Sequence, residues 1–317
     1  MSSHPETENL PFEPPSIEEL NAQLSSKYVL NDGLDCGGSG FVYLGESIEE
    51  GRPVAIKLVK ADLEDDRPER FCREAKAMEG LSHPNIVDVY DLEVIFVGDR
   101  GDPFYYYAME YVDGEDLGLM IEEDFPPERT INLMLQVCDA LAYAHDSGVI
   151  HRDVKPPNIL IENKGGKEKA KMVDFGLAKL TGSMADSFLT KSGTVLGTED
   201  YVAPETLEGE SPDHRADLYS VGVITYQLLT GKIPMGVFGS VVDLVPGANQ
   251  KLSDAVDRAL ASDPNKRYQS AAEFAKDLRK AVITSERNTK LPGFWILLGV
   301  ACGLVGILIF VLFQMLS

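Results

Sequence analysis

Near Gly114 the spacing of apolar residues changes from strand-like to helix-like, and this change limits the folds open to the chain. Before it, short runs rich in β-branched and aromatic residues alternate with turn residues: Tyr28-Val29-Leu30, Phe41-Val42-Tyr43-Leu44, Val54-Ala55-Ile56-Lys57-Leu58-Val59, and Tyr105 to Val112. Phe71, Ala75, Met78 and Leu81 interrupt them at helical spacing. After it come long helical patterns: Ile131, Leu133, Met134, Val137, Leu141 and Ala144, then Asp217 to Leu229, then Leu252 to Leu260. The expectation is an α+β chain, with a small β-rich lobe at residues 28–112 and a larger α-rich lobe at 113–283. Residues 1–27 are expected to be disordered and proline-bearing at first. They should end in a short amphipathic helix opened by a capping box at Ser16 and Glu19.

Composition excludes one class of partner. With 51 acidic against 29 basic residues the net charge is −22. Nucleic-acid binding rests on Lys and Arg neutralising phosphates, so no nucleic-acid partner is expected. Such an acidic surface suits solubility, or basic protein partners. Cys36, Cys72, Cys138 and Cys302 are scattered without metal-ligand or disulfide spacing, which fits a reducing compartment; Cys138 and Cys302 lie in apolar patterns and read as packing residues. The N-terminal residues carry no apolar run, so no secretory signal is expected.

The C-terminal end is different. Phe294 to Phe313 is free of charge and apolar character continues to Leu316. At ~1.5 Å per residue, such a helix crosses a ~30 Å hydrocarbon core. A single transmembrane helix is expected at 294–316, after a basic juxtamembrane linker at 284–293. Lys276, Arg279, Lys280, Arg287 and Lys290 place the preceding domain on the cytoplasmic side. A tail anchor with no domain beyond it is expected. Gly299-x-x-x-Gly303 would let two such helices approach closely, a route to a homodimer, although glycine is frequent in membrane spans anyway.

Four strings carry chemistry. Leu34-Asp35-Cys36-Gly37-Gly38-Ser39-Gly40 lies between two strand patterns and suits a turn whose backbone amides cover phosphates; it equally suits a plain hairpin turn. Val54-Ala55-Ile56-Lys57 puts a cation at the end of an apolar run, where a snorkelling edge lysine is the plainer reading. Glu74, on the next helical pattern, is a carboxylate able to hold it. His151-Arg152-Asp153-Val154-Lys155-Pro156-Pro157-Asn158 then gathers a base, a cation and an amide ligand in one loop, the groups that phosphoryl transfer requires. Asp174-Phe175-Gly176 adds a further oxygen donor.

In this order, with Ala203-Pro204-Glu205 following, the strings resemble those of the eukaryotic-like protein kinase family in its bacterial serine/threonine branch. The resemblance covers about Tyr28 to Val282 and implies a bilobal kinase fold. It also implies a function: transfer of the γ-phosphate of ATP, with Mg2+ or Mn2+, to Ser and Thr hydroxyls of protein substrates. By motif position, Gly37, Gly38 and Gly40 cover the phosphates, while Lys57, paired with Glu74, contacts them. Leu34, Val42, Ala55, Met109 (the gatekeeper position), Glu110 and Val112 border the adenine, the last two through backbone groups. Asn158 and Asp174 hold the metal. Asp153 takes the substrate proton and Lys155 steadies the γ-phosphate. Thr190, Ser192 and Thr194 are candidate autophosphorylation sites facing Arg152, although hydroxyls also suit any flexible loop. Asp217 is expected to brace the catalytic loop, and Glu205 to pair with Arg267.

Two departures stand out. Asp35 replaces the first glycine of the loop, which is expected to lower ATP affinity. The stretch from Gly231 to Leu252 is short, so a peripheral helix after Pro234 is expected to be missing. The resemblance places the domain at a bacterial plasma membrane. The rival reading is a nucleotide-binding scaffold without catalysis; it is weakened because Lys57, Asp153, Asn158 and Asp174 are all present.

Overall fold

The computed structural model describes residues 14–37, 40–61, 78, 80–98, 101–175 and 199–289. Helix α1 (Ile17–Leu24) opens with the expected capping box, Ser16 Oγ accepting from the Glu19 amide and Glu19 accepting from the Ser16 amide. A five-stranded antiparallel sheet follows, ordered β1-β2-β3-β5-β4. Its strands are β1 (Tyr28–Gly37), β2 (Gly40–Ser47), β3 (Pro53–Lys60), β4 (Val89–Val97) and β5 (Asp102–Glu110).

Both faces of this sheet are covered, which explains why β3 and β5 read as continuous apolar runs rather than alternating ones. Leu20 and Leu24 of α1 cover one face, packed with Val54, Ile56 and Leu58 of β3 and Phe104, Tyr106 and Ala108 of β5. The side chains between them, Ala55 on β3 and Tyr105, Tyr107 and Met109 on β5, turn to the other face and join the core of the larger lobe. β5 ends at Glu110, so Tyr111 and Val112 lie beyond the strand expected to include them. β4 was not anticipated: its Asp91 and Glu93 interrupt the apolar pattern because they ion-pair with Lys27 at 2.8 and 2.7 Å.

The second lobe is built on α2 (Pro127–Asp146), α4 (Arg215–Thr230), α6 (Gln250–Ala259) and α7 (Ala271–Thr289), with a one-turn helix α3 (Pro204–Leu207) after the cleft. Almost every side chain of α4 is buried, and Gly222 lets it approach α6: a Cβ there would lie 2.8 Å from the Ala259 Cβ. In place of the peripheral helix there is one short turn, α5 (Val241–Leu244). A small sheet of β6 (Glu115–Asp116), β7 (Ile159–Lys164) and β8 (Lys167–Met172) lines the cleft floor. Helix α7 continues through the first residues of the expected 284–293 linker. Among the described residues no helix is long and apolar enough to cross a membrane; the expected span at 294–316 lies outside them.

Candidate active site

The antiparallel register of the sheet builds one wall of the cleft. Val42 of β2 lies opposite Lys57 of β3, which lies opposite Tyr107 of β5. Two residues along, Ala55 lies opposite Met109. Residues spaced by two share a face, so these side chains point the same way. Leu34 falls at an irregularity in the β1–β2 pairing, between Gly33 and Asp35, and is largely exposed. Met109 is buried and, with Leu81, Ile86, Val89, Tyr107 and Phe175, lines a small apolar cavity. The Glu110 amide donates to Asp88 O at 2.9 Å and the Val112 carbonyl accepts from Gly114 N at 3.1 Å. This leaves the Glu110 carbonyl and the Val112 amide as the backbone groups for adenine.

Among the described residues of the glycine loop, Gly40 admits no side chain. Gly40 pairs with Gly37, has φ +123°, and a Cβ there would stand 2.1 Å from the Leu58 carbonyl oxygen. Gly33, by contrast, has open space around its Cβ position. Gly40→Ala is therefore expected to push β2 off β3 and raise KM for ATP by roughly tenfold or more, the size of ~1–3 kcal/mol of backbone strain. Gly33→Ala should leave KM unchanged. Equal KM values for both variants would show that the loop is not held by this contact.

Across the cleft, Asp174 has φ +64°, a left-handed conformation that aspartate tolerates better than most residues. Its Oδ2 is ion-paired with Lys57 Nζ, and its Oδ1 accepts from Tyr107 Oη at 3.1 Å. Burial by itself would raise the Asp174 carboxyl; Lys57 and Tyr107 outweigh it and hold the group below the usual carboxylate range. The Tyr107 phenol is pushed well up by burial and by that same carboxylate.

The catalytic loop is braced from below by Asp217 on α4, a buried carboxylate. Its Oδ2 accepts from the His151 amide at 2.9 Å and its Oδ1 from the Arg152 amide at 2.8 Å. The second bond matters because Arg152 has φ +67°, a conformation that costs about 1–3 kcal/mol in a non-glycine residue unless its surroundings enforce it. His145 Nε2 lies 2.8 Å from the same Oδ2. Burial pushes the Asp217 carboxyl up, but the His145 bond, its charge and that of His151, and the amide of His151 bring it below its ordinary value.

Above this brace, Asp153 Oδ2 accepts from Asn158 Nδ2 at 3.0 Å and lies 2.9 Å from Lys155 Nζ. Asn158 Nδ2 also donates to the Asp153 carbonyl at 2.7 Å, which leaves the Asn158 amide oxygen as its available ligand atom. The Val173 amide donates to Asn158 O at 3.0 Å, and His151 Nε2 lies 2.9 Å from Val173 O. The His151 and Phe175 rings meet at 4.4 Å. The loop and Asp174 are thus tied together by backbone. Asn158 and Asp174 offer oxygen donors, one of them held ionised, which suits a hard divalent cation such as Mg2+.

The expected pair of Glu205 and Arg267 forms as a bidentate bond of 2.8 and 2.7 Å, with Arg267 wholly buried. Gly38, Glu74, Thr190, Ser192 and Thr194 lie outside the described residues. Three residues escaped the sequence reading. Tyr107 had a usable signal, standing two residues before Met109 on one strand. Lys171, between Ala170 and Met172 at the buried end of a strand rich in charge, is itself buried and ion-paired with Glu110. His145 sits on the buried side of α2 with no local signal.

Comparison with known proteins agrees with this geometry. The protein kinase domain family matches residues 28–284. The chain is 38% identical over 287 residues to the serine/threonine-protein kinase Pkn1 of Myxococcus xanthus, covering 83% of this chain and 40% of that protein. It is 39% identical over 275 residues to PknB of Mycobacterium leprae, covering 80% and 43%. It thus spans about two fifths of the length of these curated relatives. The crystal structure of the Mycobacterium tuberculosis PknI kinase domain superposes with a TM-score of 0.63 at 27% identity, over 81% of this chain and 96% of that one.

Proposed function

Because the chain belongs to the protein kinase family, in its bacterial serine/threonine branch, we propose that it transfers the γ-phosphate of ATP to Ser and Thr hydroxyls of proteins. The observation that carries this reading is the state of Asp153. Its side chain remains 28% exposed, within reach of a substrate, while Asn158 and Lys155 fix one carboxylate oxygen. That is the arrangement a positioned base requires.

In this mechanism a substrate hydroxyl hydrogen-bonds to Asp153 and attacks the γ-phosphorus. The bond to the β–γ bridging oxygen breaks, ADP departs, and the proton passes to Asp153. Lys155 offsets charge on the moving phosphoryl group. Lys57 turns from Asp174 towards the nucleotide phosphates, and Gly37, Gly38 and Gly40 cover them. Asn158 and Asp174 would hold a divalent cation such as Mg2+, which would supply charge neutralisation at the phosphates. Glu74 takes up Lys57 as it leaves Asp174. Phosphorylation at Thr190, Ser192 or Thr194 gives Arg152 a phosphate with which to pair. Residues 294–316 anchor the domain at the cytoplasmic face of a bacterial plasma membrane, and the Gly299–Gly303 face pairs two copies.

The test uses the full-length chain in detergent with Mg2+ and γ-labelled ATP, beside Lys57→Met. Label on Ser and Thr of the wild type alone is the expected result. A wild type that binds ATP yet labels neither itself nor general protein substrates would favour the scaffold reading. Asp35 gives a smaller effect: its carboxylate is exposed and accepts from the Cys36 amide at 2.8 Å. An exposed charge facing ATP weakens binding by ~0.2–1 kcal/mol, so Asp35→Gly should lower KM for ATP by a factor of about 1.4 to 5. An unchanged KM would show that the carboxylate does not face the nucleotide.

A further inference from the structure

The short stretch between α4 and α6 displays apolar side chains to solvent. Met235 is 69% exposed, Val237 fully exposed, Phe238 36% and Leu244 45%. Their base is held in place. The Tyr226 ring meets Phe238 at 5.3 Å and its hydroxyl donates to Gly239 O at 3.0 Å. Ser240 is hydrogen-bonded to Ser253 of α6, whose hydroxyl also accepts from the Val242 amide at 3.4 Å. A supported tip with several large apolar side chains in the open marks an interaction surface.

Its position says what covers it. Arg258, at the end of α6, is ion-paired at 2.7 Å with Glu273 in the first turn of α7. Asn249, the N-cap of α6, donates to Ala281 O of α7 at 2.8 Å. The two helices therefore run antiparallel, and the start of α6 lies beside the C-terminal half of α7. The apolar tip packs on that same end through Ser240 and Ser253. From Ala281, α7 runs on to Thr289, ~12 Å further, and Phe294 follows five residues later. The tip thus sits at the end of the domain from which the chain leaves for its apolar segment. Charge agrees: between Lys232 and Leu244 the charged residues are Lys232 and Asp243, a net of zero in a chain of −22.

We propose that Met235, Val237, Phe238 and Leu244 dip into the bilayer that holds residues 294–316, giving the domain a second point of attachment. The inference rests on the anchor reading above. Tip insertion is apolar, so it does not require anionic lipid; side chains of this kind reach ~5–10 Å into the headgroup and acyl boundary.

A single tryptophan, Trp295, makes both readings separately testable. The full chain is reconstituted in phosphatidylcholine vesicles with and without acyl-chain bromines. Quenching of Trp295 reports the anchor. In a Trp295→Phe background, Val237→Trp reports the tip, and Ile48→Trp, exposed on the smaller lobe, is the control. Quenching at 237 with none at 48 is the expected result. Trp295 quenched with 237 unquenched overturns the tip proposal while leaving the anchor. A 237 signal that is blue-shifted but unquenched overturns it in favour of a contact with a second copy. Trp295 unquenched removes both.

Discussion

Asp153→Asn should lower kcat for phosphoryl transfer by ~10²–10⁴-fold, the usual contribution of a positioned base, while KM for ATP stays close to that of the wild type. The substitution keeps an oxygen able to accept from Asn158 Nδ2 and Lys155 Nζ, at present 3.0 and 2.9 Å from the carboxylate. The loop is held independently by Asp217 through the His151 and Arg152 amides. The loss should therefore appear in the rate and not in the unfolding temperature, and both are measured on the same preparation. Retention of most of the wild-type rate would sink the role assigned to Asp153. A rate lost together with thermal stability would show that the variant disturbs the loop, and Asp153→Glu, which keeps the charge, then separates the two causes.

The second large effect concerns stability. Arg267 is wholly buried and saturated: besides Glu205 it donates to Ala261 O at 2.6 Å, Ser262 O at 3.0 Å and Arg215 O at 3.3 Å. Removing one partner of a buried pair strands the other charge at a cost of about 3–5 kcal/mol. For a domain of this size, Arg267→Met should lower the midpoint of thermal unfolding by roughly 6–20 °C. Adding Glu205→Gln removes the stranded charge and should recover part of that drop. If the double variant is no more stable than the single one, the damage comes from the lost carbonyl contacts and not from the unpaired carboxylate.

What the sequence disclosed was the part governed by short separations. Asp153, Lys155 and Asn158 must share one loop to act on one phosphate, so six consecutive residues carry the signal. The run Val54 to Val59 reads as a strand because both of its faces are buried. Contacts across long separations were legible only where the family resemblance implied them, as for Glu205 with Arg267 and for Asp217 with the catalytic loop. Tyr107 reaches Asp174 over 67 residues and Lys171 reaches Glu110 over 61, and each depends on sheet register that no local pattern specifies. β4 was missed for a similar reason, since Asp91 and Glu93 make sense only beside Lys27. Helix α7 does carry a local signal that the sequence reading leaves unused: Ala271, Phe274, Ala275, Leu278 and Ala281 recur at helical spacing and all are buried.

The link between the lobes bears on how the cleft moves. The segment leading into β4 belongs to the smaller lobe by sequence, yet its hydrogen bonds go to the larger one. Met172 N donates to Asn85 O at 2.9 Å, Val87 N to Met172 O at 3.0 Å, and Asn85 Nδ2 to Ala170 O at 2.7 Å. The chain crosses between the lobes a second time after Glu110, where Lys171 secures it. The roof of the cleft is thus hung on two pins, one near Val87 and one near Glu110, both fastened to the strand that ends at Met172. A lid on one pin can swivel in any direction; a lid on two can only swing about the line joining them. Any opening about that line would lift β1 and β2 away from Asp153 along a single arc.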